Sequence, residues 1–502
     1  MRITNKMMTN NMMNNINKNK VSMNTLEEQY STGKKIQKPS DDPIVTVRAL
    51  KLRTNLSEID QYTDKNIPDA KSWMDVTESS LTTVNDILSQ VNTYCVQGSS
   101  DTLTANDRSS IVSNLEQMKE QISQEGNTNY AGRYVFTGYK TDSSLIFTED
   151  NDNLTYSITE SFSGDQIQTN SKVLGSYEMA DFDATPTVEF DEAPTSIETH
   201  RFQLAYDGLS ATVLPTSITY SKKNTSGVLE EQTPPFDSAK INQISVTDPD
   251  AYKPPLGEVN YIAETGEIIL SDEVYEEFRT AEDINITYSK TGFSNGDLKP
   301  EHYFDCIMTD NDKPEQDAIE YIKANQEIQY EVNYNQKLTI NTEASDAITH
   351  QMGRSIDDIL NAVNDVISTE SKITEVEDRL KNTTLSTDDQ ARYAKMKEQL
   401  DTELVLKKDV MQAAFETGNT TSSNEQDRVN TAVADLGSRY VRLELTENRL
   451  SSQKVDFEDL LSKNEDVDMV DTVVKYGSAE ALYNASLTAA SKVVQNTLLD
   501  FL

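Results

Sequence analysis

The side chains of this chain that could do chemistry are few and scattered. His200, His302 and His350 sit on separate segments with no ligand spacing between them. Each reads as a surface residue, not a base or a metal ligand. The run Asp310-Asn311-Asp312-Lys313-Pro314-Glu315 puts carboxylates at the first and third positions of a calcium loop. It then fails, with Pro314 at position five, Glu315 where glycine is needed, and Tyr321 at position twelve. Gly132 and Gly138 have the wrong context for a phosphate loop. Cys95 and Cys306 are too few for a disulfide framework and read as small hydrophobes. The expectation is therefore no catalytic site, no cofactor, no metal and no enzyme. An enzyme with its site hidden in residues 145–340 is one alternative. A surface binding module on exposed strand tyrosines such as Tyr206 or Tyr288 is another.

The elements that would position a site say more than the site residues do. At the C-terminal end Tyr483, Leu487, Ala490, Val494, Leu498 and Phe501 recur every three or four residues. Leu482, Ala489 and Val493 widen that stripe, and Leu499 adds to it. An apolar arc of this kind must be covered by another segment or another subunit. Near the other end Met8, Met12, Ile16, Met23, Leu26 and Tyr30 keep a similar spacing, interrupted by Asn19 and stopped by Gly33. Seven Asn in the first twenty residues make this a weak helix on its own, suited to folding on assembly.

Charge divides the chain in the same way. Residues 1–53 hold ten Lys/Arg and four Asp/Glu, whereas residues 439–502 hold seven and eleven. A basic first segment and an acidic last one suit pairing of the two ends. The net charge of -39 argues against nucleic-acid or anionic-membrane partners. No segment reads as a cleaved signal or a membrane span.

Proline marks where long helices cannot run. Ten of the 13 prolines lie between Pro186 and Pro314, and residues 315–502 have none. Trp73, Thr77, Leu81, Val84, Leu88, Val91 and Cys95 form a heptad-like seam. Leu436, Tyr440, Leu443, Glu447, Leu450, Lys454, Phe457 and Leu461, six of the eight apolar, form another. Between the helical parts, residues 154–159, 200–206, 260–270 and 283–289 read as strands, with a hairpin turn at Glu264-Thr265-Gly266-Glu267. The fold class expected is α+β, with terminal helical bundle or coiled-coil segments and an inserted β-rich region. A charged, exposed helical hairpin is expected near 371–412.

Five blocks carry a family resemblance: MRITNKMM, residues 31–53, residues 127–142, residues 436–450 and residues 485–502. Together they resemble the flagellin superfamily, and within it the hook-filament junction branch more than flagellin itself. The chain ends NTLLDFL without proline and carries YAGRYVFTG, which favours the junction branch. In these blocks Gly33 ends a helix, Ser40 or Asp41 is the expected N-cap of the next, and Pro43 lies in its first turn.

The resemblance implies a division of the chain. Residues 1–53 would be a polymerisation helix and turn, 54–144 helical core, and 145–345 an outer insert, possibly two subdomains. Residues 346–438 would complete the core, and 439–502 would be the C-terminal polymerisation helices. It implies a structural subunit of the flagellum, exported without a cleaved signal peptide and extracellular. Its implied partners are copies of itself in a ring, a hook-side junction protein, flagellin and a cytoplasmic export chaperone. The assembly interface falls on Met8, Met12, Ile16, Leu26 and Tyr30, with Leu487, Val494, Leu498, Leu499 and Phe501 at the other end.

Overall fold

A computed structural model describes residues 5–100, 103–183, 189–215, 218–223, 228–233, 235–313, 317–381 and 386–499, without the side chains of Asn5, Asp183 and 493–499. The chain opens with helices α1 (Asn5–Thr32) and α2 (Pro43–Gln61), the latter continued by a π-turn into α3 (Ile67–Gly98), and then α4 (Ala105–Glu125). A small hairpin follows, β1 (Asn129–Tyr130) and β2 (Arg133–Tyr134). The β-rich stretch comprises β3 (Asn151–Phe162), β4 (Gln168–Leu174), β5 (Thr195–Gln203), β6 (Ile218–Lys223), β7 (Leu229–Glu231), β8 (Ile241–Gln243), β9 (Val259–Ile262) and β10 (Glu267–Leu270). It continues through helix α5 (Asp272–Phe278), β11 (Ala281–Phe293), β12 (Asp305–Asp310) and β13 (Ile319–Tyr321). The hairpin of β14 (Gln329–Asn333) and β15 (Gln336–Thr339) leads to α6 (Ala344–Ala347), α7 (His350–Leu380), α8 (Thr387–Glu465) and α9 (Met469–Leu499). These elements form two compact units, one of residues 1–71, 330–338 and 441–502, the other of 72–329 and 339–440.

In the larger unit the predicted seam on α3 is buried throughout, from Trp73 to Cys95. On α8 the residues Phe415, Ser422, Val429 and Leu436, seven apart, are buried as well. The Ser422 hydroxyl donates to the Leu88 carbonyl at 2.7 Å. Helices approach so closely at Gly418 that a Cβ would lie 2.6 Å from the Ile359 side chain and 3.2 Å from Cys95 Sγ. Cys95 and Cys306 are buried and free, and burial pushes both thiols up to about 12.

The β-rich part has a five-stranded sheet in the order β4-β5-β10-β9-β8 and a six-stranded sheet in the order β13-β12-β3-β11-β6-β7. They share one core, with Tyr156 and Ile158 from β3, Phe202 from β5, Tyr261 from β9 and Ile286 from β11. The expected β9–β10 hairpin forms, with Gly266 at φ +66°. A Cβ there would meet the Tyr206 carbonyl at 2.0 Å, so the close approach requires glycine.

Tyr206 and Tyr288 are not exposed, as a surface binding module would need; both lie in this core. Alternation along β11 explains Tyr288, which shares its face with Ile284 and Ile286. The Tyr206 hydroxyl donates to the Leu298 carbonyl at 2.8 Å. His302 also contradicts its expected surface position: it is 5 % exposed, and burial with nearby lysines pushes it down to about 3. A hydrophilic residue can be buried in a turn between strands without any local signal of it.

Glu160 lies on the inward side of β3. Its carboxylate accepts from the Ala205 N–H and the Tyr288 hydroxyl, each at 3.0 Å. Burial raises its pKa from 4.5 to about 7. The folded state therefore holds this proton more tightly than the unfolded chain. The resulting stability is complete below the unfolded value and is lost as pH rises through 7. Glu160→Gln keeps an acceptor oxygen and removes the titration. Its melting midpoint, relative to wild type, is expected to climb between about pH 5 and pH 8. A difference that stays flat across that range would show that Glu160 is not held protonated.

Two other expectations need correction. Asp42, not Ser40 or Asp41, caps α2: its carboxylate accepts from the Ile44 and Val45 N–H groups at 3.0 and 3.1 Å. Pro43 occupies the first helical position, so the cap must be the residue just before it. Asp41 instead accepts from the Gln37 and Lys38 N–H groups in the preceding turn. Helix α2 runs on past residue 53, and α8 runs on past residue 438 in spite of Gly437. The hairpin of α7 and α8 near 371–412 is only partly exposed. Phe182 stacks on Tyr393 at 3.7 Å, and with Phe190 it covers Ile373, Val376 and Met396.

Candidate assembly surface

The smaller unit brings the two ends of the sequence together. Gly33, at φ +70°, ends α1 with its N–H on the Gln29 carbonyl at 2.8 Å. The chain then runs beside the α8–α9 turn. The Lys35 N–H donates to the Glu465 carbonyl at 2.6 Å, and the Val467 N–H to the Gly33 carbonyl at 2.9 Å. Lys34 bridges Asp466 at 2.5 Å and Glu465 at 3.4 Å, and Arg53 bridges Glu465 at 2.7 Å. The basic and acidic ends thus meet here. Farther along, Lys454 pairs with Asp60 at 2.7 Å and Lys71 with Glu447 at 2.5 Å.

From this clasp α1 and α9 run antiparallel. Tyr30 stacks on Tyr476 with ring centroids 6.3 Å apart, and the Asn19 amide donates to the Ser486 hydroxyl at 2.9 Å. Ile16 is buried, and Met12, Met23 and Leu26 are half-buried. The α9 side of the seam is Thr472, Tyr476, Ala479, Tyr483, Ser486 and Ala490, spaced four and three residues apart. Small and hydroxyl-bearing residues therefore line much of the contact. A search for large apolar side chains passes over Thr472 and Ser486, and Asn19, which reads as an interruption, is a seam contact.

Other predicted interface residues face away from this seam. Met8 is 47 % exposed and Leu487 43 %. Tyr30 stacks on one face and stays 47 % exposed. Val494, Leu498 and Leu499 lie in α9, but their side chains are outside the described residues, as is all of Phe501. Met7, Met13 and Val21 on α1, and Val470, Val473, Val474 and Leu482 on α9, are exposed as well.

A further stripe lies on α2, outside the expected interface. Ile44, Val47 and Leu50, three residues apart, are all more than half exposed. Val441 and Leu445 on α8 are exposed too. The i, i+3, i+6 spacing on α2 is readable in the sequence, but nothing local says whether such a stripe faces a core or solvent. Among the described residues, most exposed large hydrophobic side chains belong to this smaller unit.

No comparable arrangement for catalysis is seen among the described residues. Among the described residues no group of three or more His, Cys, Asp and Glu could hold a metal ion, and no helix is long and apolar enough to cross a membrane. His200 stacks on Tyr275 at 3.6 Å, and His350 is packed among Tyr206, Tyr303 and Phe304.

The helical ends match known proteins. The bacterial flagellin N-terminal helical region matches residues 3–141, and the bacterial flagellin C-terminal helical region matches residues 423–502. The chain is 27% identical over 235 residues to flagellar hook-associated protein 3 of Escherichia coli, covering 46% of this chain and 73% of that protein. It is 32% identical over 145 residues to the Salmonella typhimurium protein of the same name, covering 29% of this chain and 45% of that one. A solved structure of the flagellar junction protein FlgL from Legionella pneumophila overlaps 80% of this chain and 99% of its own, at 12% identity and a TM-score of 0.27. The chain thus carries the N-terminal and C-terminal helical regions of bacterial flagellin at its two ends, and these regions and the hook-associated relatives support a structural flagellar protein similar to hook-associated protein 3.

Proposed function

We propose that this protein is an exported adaptor that joins the hook side of the flagellum to the flagellin filament, acting by helix packing and not by catalysis. The observation that carries this reading is the outward apolar surface of the α1–α9 pair, which the pairing itself leaves uncovered. Burying it against neighbouring subunits contributes about 25 cal/mol per Å² of apolar area. The partners are other copies in a ring, a hook-side junction protein below and flagellin above. Of the expected interface residues, Met8, Tyr30 and Leu487 present outward, Met12, Ile16 and Leu26 hold α1 against α9 behind them, and Val494, Leu498, Leu499 and Phe501 complete the interface in this reading.

The same surface is an aggregation hazard before assembly. A cytoplasmic chaperone covering α9 until export answers that hazard, and the export route leaves no cleaved signal. The final location is the extracellular appendage. The test is reconstitution on hook-bearing bacteria that lack their own junction protein. Added chain should restore filament growth from supplied flagellin. Growth from the hooks that is the same without the chain would reject the adaptor role.

A further inference from the structure

Within the larger unit, the first turns of α7, the last turns of α4 and two loops of the β-rich part line a cavity of about 150 Å³. That is room for about five waters at ~30 Å³ each, or for one molecule of amino-acid size. None of the assembly residues lines it.

Its polar groups are incompletely satisfied. Arg354, on α7, is 8 % exposed. It donates to the Thr265 carbonyl and faces Asp207 at 3.3 Å and Asp357 at 3.7 Å. Its Nε–H has no partner. His350 Nε2, also without a partner, belongs to a ring that burial pushes down to about 3, so the imidazole is neutral. Lys119 is committed to Asp357 at 2.5 Å. Asp297 makes no ion pair among the described residues, and its carboxylate accepts from the Ser294 N–H at 2.9 Å. Burial raises its pKa and outweighs the Ser294 N–H and the nearby Lys290 and Lys119, a sign that its charge is only partly compensated. The N-terminus of α7, capped by Thr349, opens on the same space and favours negative charge.

The cavity thus offers a free donor beside a helix N-terminus and a carboxylate in need of a cation. Water satisfies the first and adds no positive charge to the second. We infer that this cavity binds a small zwitterion of amino-acid size, its ammonium on Asp297 and its carboxylate on Arg354 Nε and the first turn of α7. Because the walls come from both the helices and the β-rich loops, the occupant ties the two together. It stabilises the folded chain by linkage.

The test uses the full chain and glycine as the probe. At ~50 mM glycine the melting midpoint should rise by ~2 °C or more in wild type and by less than ~0.5 °C in Asp297→Asn. Ethylammonium or acetate alone should give less than half the wild-type rise. Glycine should also show saturation transfer from the wild-type protein, a readout that needs no variant. Equal rises in wild type and Asp297→Asn would mean that glycine acts only by exclusion from the surface, and would overturn the site. Absence of saturation transfer would overturn it too. A rise with ethylammonium equal to that with glycine would overturn the zwitterion assignment.

Discussion

A chain lacking residues 485–502 is expected to keep its β-rich part folded and to fail to join the polymer. None of the clustered β-rich and hairpin cores contains a residue from this segment. The segment carries Ser486, the partner of Asn19, and the exposed Leu487. Burial of even two such apolar side chains on assembly contributes roughly 3–6 kcal/mol at ~1.5–3 each. At tenfold per 1.4 kcal/mol, their loss weakens incorporation by more than about 100-fold. The check is co-sedimentation of the variant with polymer, beside its melting curve. Leu487→Asp sharpens the test, because that side chain faces away from the α1–α9 seam. It should leave the monomer as stable as wild type and still impair incorporation. Normal incorporation of the truncated chain would sink the assembly reading.

Replacing Arg201 should destabilise the fold more than Glu160→Gln, Asp297→Asn or Leu487→Asp. Arg201 projects from β5 and is 1 % exposed. Its guanidinium bridges Glu267 on β10 and Asp358 on α7, and its Nε donates to the Gln168 side chain at 3.0 Å. Burial alone would raise the Glu267 carboxyl, but Lys172 and Arg201 outweigh it and hold it at about 2. Removing one partner leaves a buried charge exposed to no water and to less positive charge. Arg201→Ala is expected to cost about 3–5 kcal/mol. Against a total of roughly 5–15 kcal/mol, that is a large share. Thermal unfolding by near-ultraviolet circular dichroism, with amide exchange read on β4 and β5, measures it. Arg201→Ala together with Glu267→Ala should cost less than the sum of the two. Strict additivity would show that the pair is not coupled.

The sequence made much of the helical frame legible. The α3 seam from Trp73 to Cys95 is buried residue for residue, because a period near 3.5 fixes which side of a long helix is apolar. Gly33 ends α1 and Pro43 starts α2 for equally local reasons, φ > 0 and a missing N–H. The four anticipated strand segments lie in or beside β3, β5, β9–β10 and β11. The short strands β7, β8 and β13, three residues each, carry too few side chains to show a period.

The sequence by itself determined that each end carries an apolar stripe at helical spacing, and that a basic first segment and an acidic last one suit pairing. That information is periodic and local. Only the tertiary structure decided which apolar residues close the α1–α9 seam and which remain outward. Ile16 goes in and Met8 stays out, although both belong to one stripe. On α9 the seam takes Tyr483 and Ser486 and leaves Leu487 exposed. Hydrophobic burial is non-directional, so a stripe says that a partner exists but not which one. The choice depends on how closely two helices fit, and small residues such as Ala479 and Ser486 allow that approach where a leucine would hold them apart.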